Sequence, residues 1–155
     1  LKGSYAGAMG MGQFIPSSFR AYAVDFDGDG HADIWHSRAD AIGSVANYFS
    51  RHGWQHGAEV VVPARALGPV ATERMNPGLE PTVAAGELAA LGVAAVRPLP
   101  AEQKVLPMML EGSDATEYWL GLQNFYVITR YNRSPLYAMA VHQLSQDIRA
   151  GYERP

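Results

Sequence analysis

The chain has 155 residues, which suits one domain with or without a small subdomain. Its composition, 48% hydrophobic and 17% charged, is typical of a folded globular protein. A formal net charge of -3 without a Lys/Arg-rich run argues against a nucleic-acid partner, and the absence of cysteine excludes disulfides and thiolate metal sites. No apolar run reaches the roughly 18–20 residues that cross a bilayer.

The first half of the chain predicts two helices after a segment rich in Gly, Ala and Met. Pro16 with the two serines that follow predicts a helix start, and this helix runs toward Val24. A second helix is predicted to begin at Asp40 and to end at Gly53. Its predicted apolar face consists of Ile42, Val45, Ala46 and Phe49.

From residue 55 to residue 121 Pro and Gly become frequent, which predicts a small α+β subdomain inserted into a helical body. Strands are predicted at 60–62, 105–110 and 118–120, and a short helix at 84–91. Ser134 and Pro135 predict the cap and first turn of a final helix. Its apolar stripe consists of Tyr137, Ala140, Val141, Leu144 and Ile148.

An acidic loop lies between the two N-terminal helices, at residues 25–33. Asp25, Asp27 and Asp29 occupy positions 1, 3 and 5 of an EF-hand calcium loop. Gly30 at position 6 permits the sharp turn, and the carbonyl of His31 at position 7 supplies another oxygen. Three carboxylates this close would repel one another without a cation, so the pattern predicts a calcium site.

The second half of the acidic loop departs from the pattern. Position 12 is His36 instead of Glu, and the next carboxylate at a helix start is Asp40. A lengthened loop closed by Asp40 would still give the ion a bidentate ligand, and Asp33 is a further candidate, directly or through water. The alternative is a solvated Asp-Gly turn. Zinc and magnesium are weaker alternatives, since oxygen donors with a single His do not favour zinc.

Three groups mix aromatic rings with amides or hydroxyls at element boundaries. They are Ser4 with Gln13 and Phe14, Asn47-Tyr48-Phe49, and Tyr131-Asn132-Arg133-Ser134 with Tyr137 following. Such a mixture suits sugars, because a pyranose offers an apolar face to a ring and hydroxyls to polar groups. The alternative is that Tyr48 and Tyr137 are core residues of their helices, and an apolar pocket with a few polar groups serves many ligands.

Several motifs in order resemble the membrane-bound lytic transglycosylase B family and its soluble relatives. They are Ser4 to Gly10, Gly12 to Ser18, Ala23 to His31, Asp40 to Phe49, Asn124 to Asn132, and Tyr137 to Val141. The resemblance covers nearly the whole chain, with a looser middle.

The resemblance implies an α+β fold: a lysozyme-like, mainly helical core with an EF-hand-like calcium loop and the small α+β subdomain. Residues 1–54 would form part of the core, 55–121 the subdomain, and 122–155 the closing segment and C-terminal helix. It also implies cleavage of the β-1,4 bond between N-acetylmuramic acid and N-acetylglucosamine in peptidoglycan without water, leaving 1,6-anhydro ends. The implied compartment is the periplasm, and the resemblance leaves open whether the parent protein is soluble or anchored to the outer membrane.

Roles follow from the resemblance at matching positions. Ser4 resembles the active-site serine, and Tyr131 with Asn132 resembles the pair facing the catalytic centre. Gln13, Phe14, Tyr48 and Tyr137 resemble residues of the glycan groove. The calcium ligands implied are Asp25, Asp27, Asp29, His31 and Asp40.

The catalytic Glu of the family lies upstream of the motif that begins at Ser4, and no glutamate of this chain stands in a matching context. We therefore expect the N-terminal half of the same protein to supply the acid, and to cover the helix faces at Phe49 and Val141. The alternatives are a non-catalytic, calcium-stabilised peptidoglycan-binding fragment and a structural calcium domain unrelated to sugar.

Overall fold

The computed structural model describes residues 4–112 and 114–153 and divides between Trp54 and Gln55 into two compact units. Helices and strands are both present, as the mixed fold class requires. The helices are α1 (Pro16–Tyr22), α2 (Arg38–Arg51), α3 (Gln123–Tyr131) and α4 (Pro135–Tyr152). The strands are β1 (Val61–Ala66), β2 (Val83–Ala84), β3 (Val93–Ala95), β4 (Lys104–Glu111) and β5 (Thr116–Gly121). The three-segment organisation drawn from the sequence stays a prediction.

The first unit contains α1, α2 and the acidic loop between them. Pro16 occupies the first turn of α1, as predicted, but the helix ends at Tyr22 instead of reaching Val24. Helix α2 begins at Arg38, before the predicted Asp40, because the Ser37 side chain accepts a hydrogen bond from the Asp40 N–H and caps the helix. Gly53 follows the helix with a φ of 88°, which confirms it as the stop.

The second unit is built on a five-stranded sheet of order β2-β4-β5-β1-β3, antiparallel at every pairing. The predicted strands correspond to β1, β4 and β5, while the short strands β2 and β3 were not predicted. The predicted short helix is a 3₁₀ segment, Ala85–Leu91, which Gly92 ends in a left-handed conformation. Only glycine fits there, since a Cβ at Gly92 would lie 2.2 Å from the Pro69 carbonyl oxygen.

The sheet carries the best-sealed core of the second unit. Side chains from the 3₁₀ segment and the strands pack against one another: Val62, Met75, Leu88, Leu91, Val93, Val105 and Leu120. Helix α3 adds Phe125 and Val127, both fully buried. Helix α4 begins at Pro135 under a Ser134 cap, as predicted, but buries only Ala138 and Met139.

Candidate functional site

The first group of predicted site residues lies on a tight turn of the first unit. Met9 and Phe14 exchange backbone hydrogen bonds of 3.0 Å each, and the residues between them reverse the chain. Gly10 has a φ of 70°, and a Cβ there would lie 2.7 Å from the buried Ile34 side chain. The turn can therefore approach Ile34 this closely only with glycine at position 10.

Gln13 sits in this turn with a φ of 49°, a left-handed conformation that is unfavourable for a non-glycine residue. Its side-chain nitrogen donates to the Gly10 carbonyl at 2.9 Å, and the side chain is exposed. Strain of this kind is kept where the surrounding structure enforces it, and it often marks functional positions.

An aromatic cluster lies beneath the turn. The Phe14 and Tyr48 ring centroids are 6.1 Å apart, and Tyr22 meets Tyr48 edge-on at 4.9 Å. His52 stacks on Tyr48 at 4.0 Å. Phe14 and Tyr48 are 3% and 8% exposed, so in this structure their rings are buried and do not form an open surface.

Ser4 is exposed and also lies in a turn of the first unit. Its hydroxyl accepts a hydrogen bond from the Ala8 N–H at 3.1 Å, and its own N–H donates to the Ala8 carbonyl at 2.9 Å. These two hydrogen bonds hold the hydroxyl in a fixed position.

The remaining predicted side chains lie in the second unit, at the corner between α3 and α4. Asn132 follows the end of α3, and its side-chain oxygen accepts the Ser134 N–H at 3.2 Å. Tyr137 is in the first turn of α4 and is 38% exposed, so it is not a core residue. Tyr131 is the last residue of α3 and is half-buried.

The acidic loop brings three carboxylates together at the surface of the first unit. Oxygens of Asp25, Asp27 and Asp29 lie within 4.8 Å of one another. The chain curls around Asp25, which accepts the N–H groups of Gly28 at 2.7 Å and Gly30 at 2.8 Å. Both glycines have positive φ values, 80° and 94°. An exposed, oxygen-only donor set of this kind fits a hard cation such as calcium.

Asp40 lies outside this trio and closes the acidic loop on itself. One carboxylate oxygen accepts the Phe26 N–H at 2.7 Å and the Asp27 N–H at 3.3 Å, and the other accepts the Asp33 N–H at 2.8 Å. Burial raises the pKa of Asp40, but these N–H donors outweigh burial and bring the pKa below its usual value. A role for Asp40 as a cation ligand stays a prediction.

Asp33 and His31 occupy the second half of the acidic loop. The backbone N–H of Trp35 lowers the pKa of Asp33, and the His36 ring, whose Nδ1 lies 3.0 Å away, adds to the effect. His31 is exposed; its N–H donates to Asp29 at 2.9 Å, and its carbonyl accepts the Asp33 N–H at 3.1 Å.

Sequence reasoning missed two hydroxyls that tie the acidic loop to α2. Ser37 donates to Asp27 at 2.7 Å while capping the helix. Ser44, fully buried, accepts the Val24 N–H at 3.0 Å. The spacing of Ser37 and Asp40, a serine with an acid three residues on before an apolar run, was a visible helix-start signal. Nothing in the local sequence pointed to Ser44.

Comparisons with known proteins cover nearly the whole chain. The family model described as "Transglycosylase SLT domain" matches residues 1–146. Membrane-bound lytic murein transglycosylase B of Escherichia coli is 49% identical over 148 residues, covering 96% of this chain and 40% of that protein.

Solved structures of lytic transglycosylases are similar as well. Catenated SltB1 from Pseudomonas aeruginosa is 56% identical with a TM-score of 0.91, covering 97% of this chain and 50% of that one. Escherichia coli Slt35 in complex with calcium is 47% identical with a TM-score of 0.88, covering 99% of this chain and 48% of that one. The chain therefore spans half or less of the length of these relatives.

Proposed function

We propose that this chain, which belongs to the transglycosylase SLT domain family, supplies part of the glycan groove and the calcium loop of a periplasmic enzyme that cleaves peptidoglycan without water. The observation that carries the proposal is the strained turn at Gln13. It fixes an exposed side-chain amide in the residue directly before the buried aromatic ring of Phe14, and a fixed amide of this kind can exchange hydrogen bonds with the hydroxyls of a sugar.

The reaction breaks the bond between the anomeric carbon of N-acetylmuramic acid and the oxygen of the next sugar. A carboxylic acid protonates the departing oxygen, and the 6-hydroxyl of the same muramic acid closes onto the anomeric carbon while the carboxylate takes its proton. The product is a 1,6-anhydro end, and no water is consumed. A single acid that acts twice needs a raised pKa, which an apolar setting provides.

The glutamates of the described residues do not offer that setting. Each of them is exposed: Glu59, Glu73, Glu80, Glu87, Glu102, Glu111, Glu117 and Glu153. Several already pair with neighbours, such as Glu80 with the Tyr126 hydroxyl and Glu117 with the Trp119 indole. We propose that the acid comes from a segment outside this chain and that Ser4, Tyr131 and Asn132 assist it.

The exposed apolar helix faces also favour an additional segment outside this chain. The apolar face of α2, called the α2 face, consists of Ile42, Val45, Ala46 and Phe49. Together with Met11 it lines an open apolar cavity of about 510 Å³, and its Ile42 is 70% exposed. An amphipathic helix can lay its apolar face into an apolar groove of this kind. We propose that the N-terminal half of the same protein covers it.

The function is tested with the longer protein that contains this chain. Incubation with purified peptidoglycan is expected to release muropeptides with 1,6-anhydro ends, detected by mass spectrometry, and Gln13→Ala is expected to lower the rate. Asn76→Ala, at another positive-φ position but in the second unit, is the matched control. Hydrolytic, reducing ends as the sole product would contradict the proposal.

Calcium is proposed to stabilise the acidic loop, with Asp25, Asp27 and Asp29 as ligands and His31 and Asp40 completing the set. An ion that binds only the folded state at 100 times its Kd adds about 2.7 kcal/mol of stability. Chelation should therefore lower the Tm of the wild type and leave the Tm of an Asp29→Ala variant unchanged. Equal responses of the two proteins to the chelator would rule out these ligands.

No helix in the described part of the chain has the length and apolarity that a membrane span requires.

A further inference from the structure

Two neighbouring cavities in the second unit use none of the predicted site residues. The first, of about 490 Å³, lies between the sheet and α4, and the second is about 800 Å³. Both are lined by the segment 57–59, called the wall segment below. Volumes of this size fall in the range that holds small organic ligands.

The first cavity combines an aromatic ring with polar side chains. Trp119, His142, Gln146 and Arg149 line it together with apolar groups of β1. The Trp119 indole N–H donates to Glu117 at 2.8 Å, which fixes the orientation of the ring. The charged side chains that line the cavity have partners of opposite charge, because Glu59 pairs with Arg97 and Arg149 lies 3.6 Å from Glu153.

His142 lines this cavity and also carries an unsatisfied buried atom. Its Nδ1 is buried and has no hydrogen-bond partner among the described residues, and such an atom costs stability until a ligand or water pairs with it. Burial also lowers the pKa of His142, so the ring is neutral at neutral pH and can exchange a hydrogen bond with a hydroxyl.

The wall segment is held rigidly by a fully buried side chain, Asn124. Its amide nitrogen donates to the carbonyls of Gln55 at 2.8 Å and Ala58 at 2.9 Å, and its oxygen accepts the Gln55 N–H at 2.7 Å. A preformed wall reduces the entropy that binding would otherwise cost.

The second cavity continues the polar lining on the other side of the wall segment. Glu102, Gln103, Lys104 and Gln123 line it. Two polar cavities that share one wall suit a ligand with repeated, uncharged hydroxyl and amide groups better than a compact anion or an apolar molecule.

From this arrangement we propose that the two cavities flanking the wall segment bind a second stretch of glycan, a β-1,4-linked amino-sugar oligomer, with Trp119 against a sugar ring and His142 and Gln146 on its hydroxyls. The choice of glycan rests on the proposed function. The site would hold the polymer by a surface that takes no part in bond cleavage.

The test uses the longer protein, with the tetramer of N-acetylglucosamine as the probe and NMR to detect its binding. Titration is expected to shift the Trp119 indole N–H signal, which Trp119→Phe assigns. Gln146→Ala is expected to weaken the affinity measured from this signal by about threefold to tenfold, as loss of one hydrogen bond does. Gln143→Ala, on the same helix but outside both cavity linings, should leave it unchanged.

Gln146 and Gln143 are both exposed, so neither substitution should alter the fold, and equal Tm values check this. An unmoved Trp119 signal, or equal affinities of the Gln146→Ala and Gln143→Ala proteins, would overturn the inference. If the signal stays fixed while 1,6-anhydro products form normally, the cavity inference fails and the proposed function stands. If the signal moves without such products, the proposed function fails and the glycan site stands.

Discussion

The sheet of the second unit and the apolar faces of α2 and α4 bury their apolar side chains to very different extents. Leu120 and Val105 of the sheet are fully buried, whereas Ile42 on α2 and Leu144 on α4 are 70% and 60% exposed. All four lie on apolar stripes of their elements. The sheet buries its apolar side chains within the chain, whereas Ile42 and Leu144 stay largely exposed in the part of the chain that the structure describes. A periodic stripe therefore predicts that a partner is needed without saying which molecule supplies it.

The largest expected effect comes from a matched pair of leucines that breaks this comparison. In the longer protein, Leu120→Ala should lower the free energy of unfolding by about 2–5 kcal/mol, because it leaves a cavity in the sealed core. Leu144→Ala should lower the free energy of unfolding by less, since the apolar face of α4 that contains Leu144 would be in contact with a partner on one side only. Urea unfolding measures both, and a larger loss for Leu144→Ala would invert the comparison.

The next largest effect is expected from a substitution of Asp40, which closes the acidic loop. Asp40→Asn keeps the shape of the side chain but removes the charge that accepts three backbone N–H groups. Hydrogen bonds to a charged acceptor contribute more than neutral ones, so the Tm should fall by on the order of 10 °C. Asp147→Asn on the exposed surface of α4 is the control, and a Tm equal to that of the control would contradict the role of Asp40.

The exposed helix faces can be tested by making them polar. In the chain taken alone we expect unfolding or aggregation, and Ile42→Gln with Leu144→Gln should reduce the aggregation because it shrinks the exposed apolar surface. In the longer protein the same pair should lower the Tm, because the faces would then be packed. Light scattering and thermal melts measure the two effects. A cooperative melt of the unaltered chain alone would count against a missing partner.

The smallest effect concerns pH and His142. Burial lowers the folded-state pKa of His142 below 6.5, so below that pH the unfolded chain binds a proton more readily than the folded one. Stability should therefore fall as the pH drops from about 6.5 toward the lowered pKa, and His142→Gln should remove this part of the fall. Melts at pH 7.5 and pH 5.5 compare the two proteins; identical pH dependences would show that His142 does not titrate with folding.

Much of the fold followed from local signals. Pro16, Ser134-Pro135 and Gly53 predicted where helices begin or end, because their backbone constraints act over a few residues. The start of α2 was misplaced because Ser37 acts through a side-chain hydrogen bond that the apolar periodicity does not report. The strands β2 and β3 were missed because they are only two and three residues long, too short for an alternating pattern.

The candidate site was predictable only in part. The trio of aspartates was visible because its members are neighbours in sequence, and the structure brings their oxygens together. Burial of Phe14 and Tyr48 depends on rings from α1 and from the end of α2, which no local pattern specifies. The role of Asn124 depends on contacts with a segment 66–69 residues away.

Ser37 links the opening of α2 to the opening of the acidic loop, because its hydroxyl both caps the helix and donates a hydrogen bond to Asp27. The first turn of the helix and the loop then open together. Native-state hydrogen exchange should find the amides of Phe26, Asp33 and Asp40 opening with a single free energy, as one cooperative unit. Opening of this region would be an all-or-none event, so the helix could not fray at its N-terminus while the acidic loop stayed closed.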